Sequence, residues 1–225
     1  YLKSNEFRIK LRIASSGFQS FVPLYLVSDF LAKSVNQQSG KKTVMSSEET
    51  VKFQKGLRTI WDNENLTDIQ KRQAISELAS AFNKTAFINI VEEPEQNLFP
   101  TSQWRMLQSL LKLNSMDKGN KLILTTHSPY IINYLSIAIQ GKYLENKIKK
   151  SSNRNVLLSR LYNLIPKESL VSANNVVVYQ LDEADGSIHK LKDIDGIPSD
   201  KNYLNKTLAE SNMLFDSLLE IEQEL

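Results

Sequence analysis

The sequence predicts an α/β fold: a mainly parallel sheet flanked by helices, ending in a β-hairpin and a closing helix. Three observations predict it. The apolar runs "TAFINIV" (85–91) and "KLILTT" (121–126) are each followed by a helical pattern, and strand-helix-strand-helix with apolar strands is how a helix-covered parallel sheet reads. The runs "NNVVVYQL" and "SIHKLKDI" flank "DEADG", whose Asp-Gly signals a hairpin turn. The last 23 residues, "YLNKTLAESNMLFDSLLEIEQEL", are amphipathic at helical spacing.

Each element follows in order. Over residues 6–14, "EFRIKLRIA" alternates Phe7, Ile9, Leu11 and Ile13 with polar or basic residues, a strand pattern. A chain opening on a strand in this way is expected to be the C-terminal part of a longer protein. "SSGFQSFVPLYLVSDFLAK" then turns at Gly17 into a helix with Leu24, Val27 and Leu31 facing inward and Pro23 in its first turn. Residues 33–65 are polar and poorly periodic, and are expected to be a surface insertion, partly helical. From Thr67, an N-cap residue, a helix carries Ile75, Leu78, Ala79 and Phe82 on one stripe. A buried strand follows and runs into "EEPEQNLFP". Pro100 opens a helix with Trp104, Leu107 and Leu111 inward, and "MDKGN" turns into the second strand. That strand ends at His127, where Ser128 and Pro129 cap the next helix. No internal repeat is visible, and the tetrad Asp182, Glu183, Ala184, Asp185 reads as the hairpin turn rather than as a helicase motif.

At 225 residues, 41% hydrophobic, the chain can bury the core of one domain or a large part of one. The absence of cysteine excludes disulfides, thiolate zinc sites and cysteine nucleophiles, and suits a reducing compartment. No apolar run approaches the ~18 residues of a membrane span, so the chain is expected to be soluble, cytoplasmic and free of membrane partners. A net charge of +3 does not by itself imply nucleic acid. Charge is nonetheless uneven: Lys142, Lys147, Lys149, Lys150, Arg154 and Arg160 stand with one acid, Glu145, and Asp216, Glu220, Glu222 and Glu224 close the chain without a base. The basic segment reads as a solvated face or as a phosphate-backbone contact.

Three constellations carry chemistry. Glu92 and Glu93 leave the end of an apolar strand, where one carboxylate can hold Mg²⁺ and the other orient a water for attack on a phosphate, with Pro94 turning the chain between the two tasks. His127 ends the next strand and can donate to a phosphate oxygen. In "ASSGFQS", Gly17 admits a close backbone approach, Ser16 offers a hydroxyl, and a helix N-terminus follows.

Together these resemble the ATP-binding-cassette (ABC) type of ATPase head, in the branch that includes RecF, the structural-maintenance-of-chromosomes proteins and the OLD-type ATPases, among AAA-family ATPases of the AAA15 and AAA21 types. In that resemblance "SSGFQ" stands at the signature motif (about 11–31), "FINIVEEPE" and "EQNLFP" at the Walker B strand and D-loop (about 86–100), and "LILTTHSP" at the switch histidine (about 121–135); the hairpin and closing helix occupy about 174–225. The match runs from about residue 11 to residue 135. It implies a P-loop NTPase fold, ATP as substrate with Mg²⁺, and a nucleotide-dependent dimer of two heads, with DNA or an effector as a further partner. It makes Glu92 the metal-linked carboxylate, Glu93 the water-polarising residue, His127 the γ-phosphate sensor, and Ser16, Gly17, Gln19 and Asn97 the nucleotide contacts. This chain departs from the family at Glu92, where aspartate is commoner, at Ser15 and Phe18 in the signature, and at Asn97 and Phe99, where many relatives have histidine. It also lacks the Gly-x4-Gly-Lys-Ser/Thr loop: the nearest match, "SGKKT", has Val35 in place of the first glycine and Lys42 in place of the hydroxyl. The chain alone is therefore expected to be a fragment without measurable ATP affinity or ATPase activity of its own. Two other readings stay open, a metal-dependent nuclease using Glu92, Glu93 and Glu95 and a non-catalytic dimerisation or DNA-tethering module.

Overall fold

A computed structural model describes residues 1–3, 8–39, 45–82 and 85–224, with the backbone alone over 36–39. Along the chain lie β1 (Leu2–Lys3), β2 (Arg8–Ile9), α1 (Ser16–Ser39), α2 (Ser47–Trp61), α3 (Asp68–Ala81), β3 (Ile88–Glu92), α4 (Pro100–Asn114), β4 (Lys121–Thr125), α5 (Pro129–Ile148), α6 (Arg154–Leu164), β5 (Tyr179–Leu181), β6 (Ile188–Lys190), β7 (Asp193–Ile194), β8 (Ile197–Pro198) and α7 (Tyr203–Gln223). The chain divides into two compact units: one of Tyr1–Val22, Val91–Lys112 and Leu124–Leu225, the other of Pro23–Ile90 and Leu113–Ile123.

The strand-helix-strand-helix order is present as β3, α4, β4, α5. Lys121 donates its N–H to the Phe87 carbonyl (2.9 Å) and Glu93 to the Thr125 carbonyl (3.0 Å), so β3 and β4 run in the same direction. Of the predicted mainly parallel sheet, the described residues hold this one pair; the other three pairs, β1–β2, β5–β6 and β7–β8, are antiparallel. Nor is β3 buried on both faces. Val91 is buried, while Ile88 and Ile90 are exposed on the opposite face, as strand alternation requires when only one side is covered.

In the unit containing α2 and α3, Ala32, Val35, Phe87 and Leu113 form a core with Met116 against it. The buried Asn120 side chain serves the turn before β4. Its Oδ1 accepts from the Phe87 N–H at 2.8 Å and its Nδ2 donates to the Leu113 carbonyl at 3.3 Å. The stretch expected as a polar insertion is largely helical. α1 continues to Ser39, and α2 starts at a capping box in which Ser46 and Glu49 satisfy each other's backbone N–H. Thr67 caps α3 as expected, with Gln70 completing a second box. Phe53 of α2 meets Phe82 edge-on at 5.5 Å between ring centroids.

Of the N-terminal strand predicted over 6–14, Glu6 and Phe7 lie outside the described residues. Among the described residues β2 pairs with β1, and past Lys10 the strand gives way to a 3-10 turn (Leu11–Ile13) with Ile13 exposed. α1 also differs from its predicted register. It begins at Ser16, which places Pro23 inside the helix rather than in its first turn, and past Pro23 its described buried positions are Ser28, Ala32 and Val35, with Val27 and Leu31 exposed. Asn89, whose side chain donates to Ser28 Oγ at 3.0 Å, explains why a serine occupies the inward face.

In the other unit, Leu161, Ile165 and Leu170 are packed by Trp104, Ile148 and Tyr162, and Trp104 stacks on Tyr134 at 5.0 Å. The predicted hairpin is β5–β6, with Gly186 at φ +71 in its turn, a left-handed conformation suited to glycine. α7 closes the chain from the N-cap Asn202, whose side chain accepts from the Asn205 N–H, and holds no buried residue.

Glu145 is wholly buried on α5 and organises the basic segment around itself. Lys142 Nζ (2.6 Å) and Lys149 Nζ (3.1 Å) reach one carboxylate oxygen, and Tyr162 donates to the other at 2.8 Å. Lys147 lies over the Tyr143 ring. Burial raises the Glu145 pKa, but the hydrogen bonds from Lys142, Tyr162 and Lys149 outweigh it and bring it to about 2, while burial and then the Glu145 bond push Tyr162 up to about 12. Because the folded carboxyl titrates below its ordinary 4.5, its contribution is complete above that value and is lost as pH falls toward 2. Glu145→Gln should cost about 3 kcal/mol, a fall of roughly 6–12 °C in melting temperature at pH 7 that shrinks on acidification. Melting curves of both proteins between neutral and acidic pH check this.

Candidate functional site

The site is built from the ends of β3 and β4. Glu92 is the last residue of β3 and lies on its exposed face. Glu93 leaves the strand at φ +43, and a turn over residues 94–97 ends with Asn97 at φ +59. Left-handed backbone costs a non-glycine residue on the order of 1–2 kcal/mol, less for asparagine. It is held here by the Glu93 N–H bond to Thr125, by Gln96 N–H to the Glu93 carbonyl (3.1 Å) and by Leu98 N–H to the Glu95 carbonyl (3.0 Å).

The turn separates the three acids. The Glu93 carboxylate faces His127, with Oε1 3.3 Å from the imidazole Nε2, and its Oε2 accepts from Gln96 Nε2 at 2.7 Å. The Glu93 side chain is about one-third exposed and the imidazole is 84% exposed, so both are open to a ligand from solvent. Glu95 turns the other way: its Oε1 accepts from Thr126 Oγ1 (2.7 Å) and from the His127 N–H (2.8 Å). Past His127, Ser128 is buried and does not cap α5 with its side chain as predicted. Its hydroxyl instead donates to Gln103 Oε1 at 2.7 Å, while Gln103 Nε2 donates to the Leu98 carbonyl.

Gly17, expected to approach a ligand, packs against the turn after β3 in its own chain. Gly17 is buried, and a Cβ built there would lie 2.6 Å from the Asn97 carbonyl oxygen and 3.1 Å from Leu98 Cδ2. Gly17 and Asn97 are thus brought together as neighbours in one chain. Ser16 is exposed as the first residue of α1. Gln19 is exposed and reaches back along its own chain, its Nε2 donating to the carbonyls of Ala14 (2.7 Å) and Arg12 (3.3 Å).

Nothing in the sequence signals that Thr125 and Gln96 bond to Glu93, or that Thr126 and the His127 N–H bond to Glu95, because these partners are brought together only by the pairing of β3 and β4 and the turn after β3. Among the described residues no group of three or more His, Asp or Glu could hold a metal ion. A nuclease centre would need Glu92, Glu93 and Glu95 to converge, and Glu95 is committed to Thr126 and His127. Mg²⁺ suits such a site differently, since it takes one or two carboxylates and fills its remaining positions with water and substrate phosphates; Glu92 fits that pattern.

The family model for the AAA ATPase domain, AAA_15, matches residues 62–132. No curated protein and no solved structure matches the chain. The matched stretch contains Glu92, Glu93, Asn97 and His127 and stops short of Ser16, Gly17 and Gln19 on the N-terminal side. Among the described residues no helix is long and apolar enough to cross a membrane.

A substitution at Gly17 tests the packing. Gly17→Ala must displace the Asn97 carbonyl or the start of α1, and should destabilise the protein by about 1–3 kcal/mol, whereas Ser16→Ala should leave the melting temperature nearly unchanged. Equal melting temperatures for Gly17→Ala and the parent protein would show that the turn yields freely.

Proposed function

We propose, from the match of the AAA ATPase domain model to residues 62–132, that this chain carries the signature, Walker B, D-loop and switch elements of an ABC-type head. Such a head hydrolyses ATP when two of them close on the nucleotide. The observation that carries the reading is the Glu93–His127 pair, a carboxylate and an imidazole 3.3 Å apart at adjacent strand ends and both open to solvent.

That geometry divides an in-line displacement between two residues. Glu93 accepts a hydrogen bond from the attacking water and takes its proton as the water oxygen bonds to the γ-phosphorus; the bond to the bridging oxygen breaks, and ADP leaves with that oxygen. His127 donates to a γ-phosphate oxygen as negative charge redistributes. Gln96 holds the second Glu93 oxygen and fixes the plane of the carboxylate. Glu92 is the carboxylate for Mg²⁺, which when bound would neutralise the phosphates. Ser16, Gly17, Gln19 and Asn97 are the nucleotide contacts, with Ser16 and Gly17 meeting nucleotide held by the second head.

The chain has no glycine-lysine phosphate loop, and that loop supplies most of the grip on a triphosphate. The residues described here therefore bring the chemistry and leave the grip to another segment. A bacterial source and a task in DNA metabolism or phage defence belong to the same proposal and rest on the likeness to RecF, chromosome-maintenance and OLD-type heads. A DNA contact through the basic segment has less support, because Lys142 and Lys149 are engaged by Glu145.

In the full-length ATPase, Glu93→Gln should lower turnover by more than about 100-fold and leave ATP binding intact. Phosphate release and calorimetric titration measure the two. Turnover near the parent rate would take Glu93 out of the chemistry.

A further inference from the structure

Glu95 has no part in the chemistry proposed above, yet it ties the two strand ends together across 31 and 32 residues of sequence. We propose that Glu95 is a positioning residue that fixes the backbone of residues 126–128 and thereby sets where His127 stands relative to Glu93. Its effect on turnover rests on the hydrolysis reading; its effect on geometry does not.

The contacts form a short relay. The Ser128 N–H donates to Thr126 Oγ1 (3.0 Å), the Thr126 hydroxyl donates to Glu95 Oε1 (2.7 Å), and the His127 N–H donates to the same oxygen (2.8 Å). One carboxylate oxygen thus fastens Thr126 and His127 through charge-assisted bonds, which are shorter and stronger than neutral ones, and reaches Ser128 through the Thr126 hydroxyl. An imidazole 84% exposed is not held by packing, so its position follows from the backbone that carries it. The Glu93 N–H bond to Thr125 ends the ladder two residues earlier, and beyond it Glu95 and the Ser128–Gln103 bond hold the loop. The second oxygen, Oε2, is buried without a hydrogen-bond partner, so the structure uses Glu95 through one oxygen.

That asymmetry supplies the test. Glu95→Gln keeps a carbonyl oxygen where Oε1 lies, whereas Glu95→Ala removes the acceptor. Two histidines, His127 and His189, give two backbone amide signals in histidine-labelled protein. The His127 signal should move upfield in Glu95→Ala and stay near its parent position in Glu95→Gln. In the full-length ATPase, kcat should fall by about 10–100-fold in Glu95→Ala, with KM for ATP unchanged, and recover in Glu95→Gln. An unmoved His127 amide in Glu95→Ala overturns the proposal. So does a Glu95→Gln protein as impaired as Glu95→Ala with its His127 amide in place, since the charge and not the acceptor would then matter. Should both variants fail to fold, Thr126→Val removes one link of the relay; a moved His127 amide supports the proposal and an unmoved one overturns it. If the amide moves in Glu95→Ala while Glu93→Gln keeps full turnover, the positioning role stands and the hydrolysis reading falls.

Discussion

The peptide hydrogen bond from Glu93 to Thr125, 3.0 Å long, is the constraint on which the site depends. It is the last rung between β3 and β4, and it brings together residues 32 positions apart in sequence. Glu92, Glu93, Glu95 and His127 all lie within two residues of it along the chain. With the strands running the same way, Glu93 and His127 leave the ladder at one edge, the edge where sheets of this kind place their ligands. A slip of one residue in this pairing would turn successive side chains to the opposite face and part the carboxylate from the imidazole.

Holding that rung forces strain on the backbone beyond it. Glu93 and Asn97 both adopt positive φ, and strained backbone of this kind persists only where surrounding contacts over-determine it. Three backbone bonds and the Gln103 amide on the Leu98 carbonyl do so from above, and Gly17 does so from below, where any side chain would press on the Asn97 carbonyl. The start of α1 and the turn after β3 are therefore one packed unit. A change of shape at one is felt at the other because close-packed interiors have no slack.

Much of this was legible in the sequence where local pattern and tertiary role agree. The apolar runs, the turn-forming proline after two acids, the Asp-Gly hairpin and the Thr67 cap all act through their neighbours in the chain. What was not legible depended on distant partners. The inward face of α1 carries Ser28 because Asn89 meets it, so an apolar count favoured the wrong stripe. The Ser46–Glu49 box was present as a motif, but its polar surroundings read as a surface insertion, only partly helical. Ser128 has the sequence of a cap and the hydrogen bond of a tether. Gly17 shows the limit most plainly, since nothing in the local sequence tells that it packs against Asn97, 80 residues away.

The clustered acids answer to the same logic. Two unit charges 4 Å apart repel by about 1 kcal/mol in water and several-fold more near a protein surface, so three carboxylates within four residues need some relief. Each finds it differently. Glu95 turns onto two donors, Glu93 lies between Gln96 and His127, and Glu92 stays on the exposed face of β3, solvated. Relief by hydrogen bonding also removes ligand capacity, because lone pairs directed at N–H and O–H groups are not directed at a cation. The cluster is thus acidic without being a metal cage, and within the proposed mechanism a Mg²⁺ ion would meet mainly Glu92, water and phosphate. That arrangement suits an ion which must arrive and leave with its nucleotide, since a site built of several protein carboxylates would retain it between turnovers.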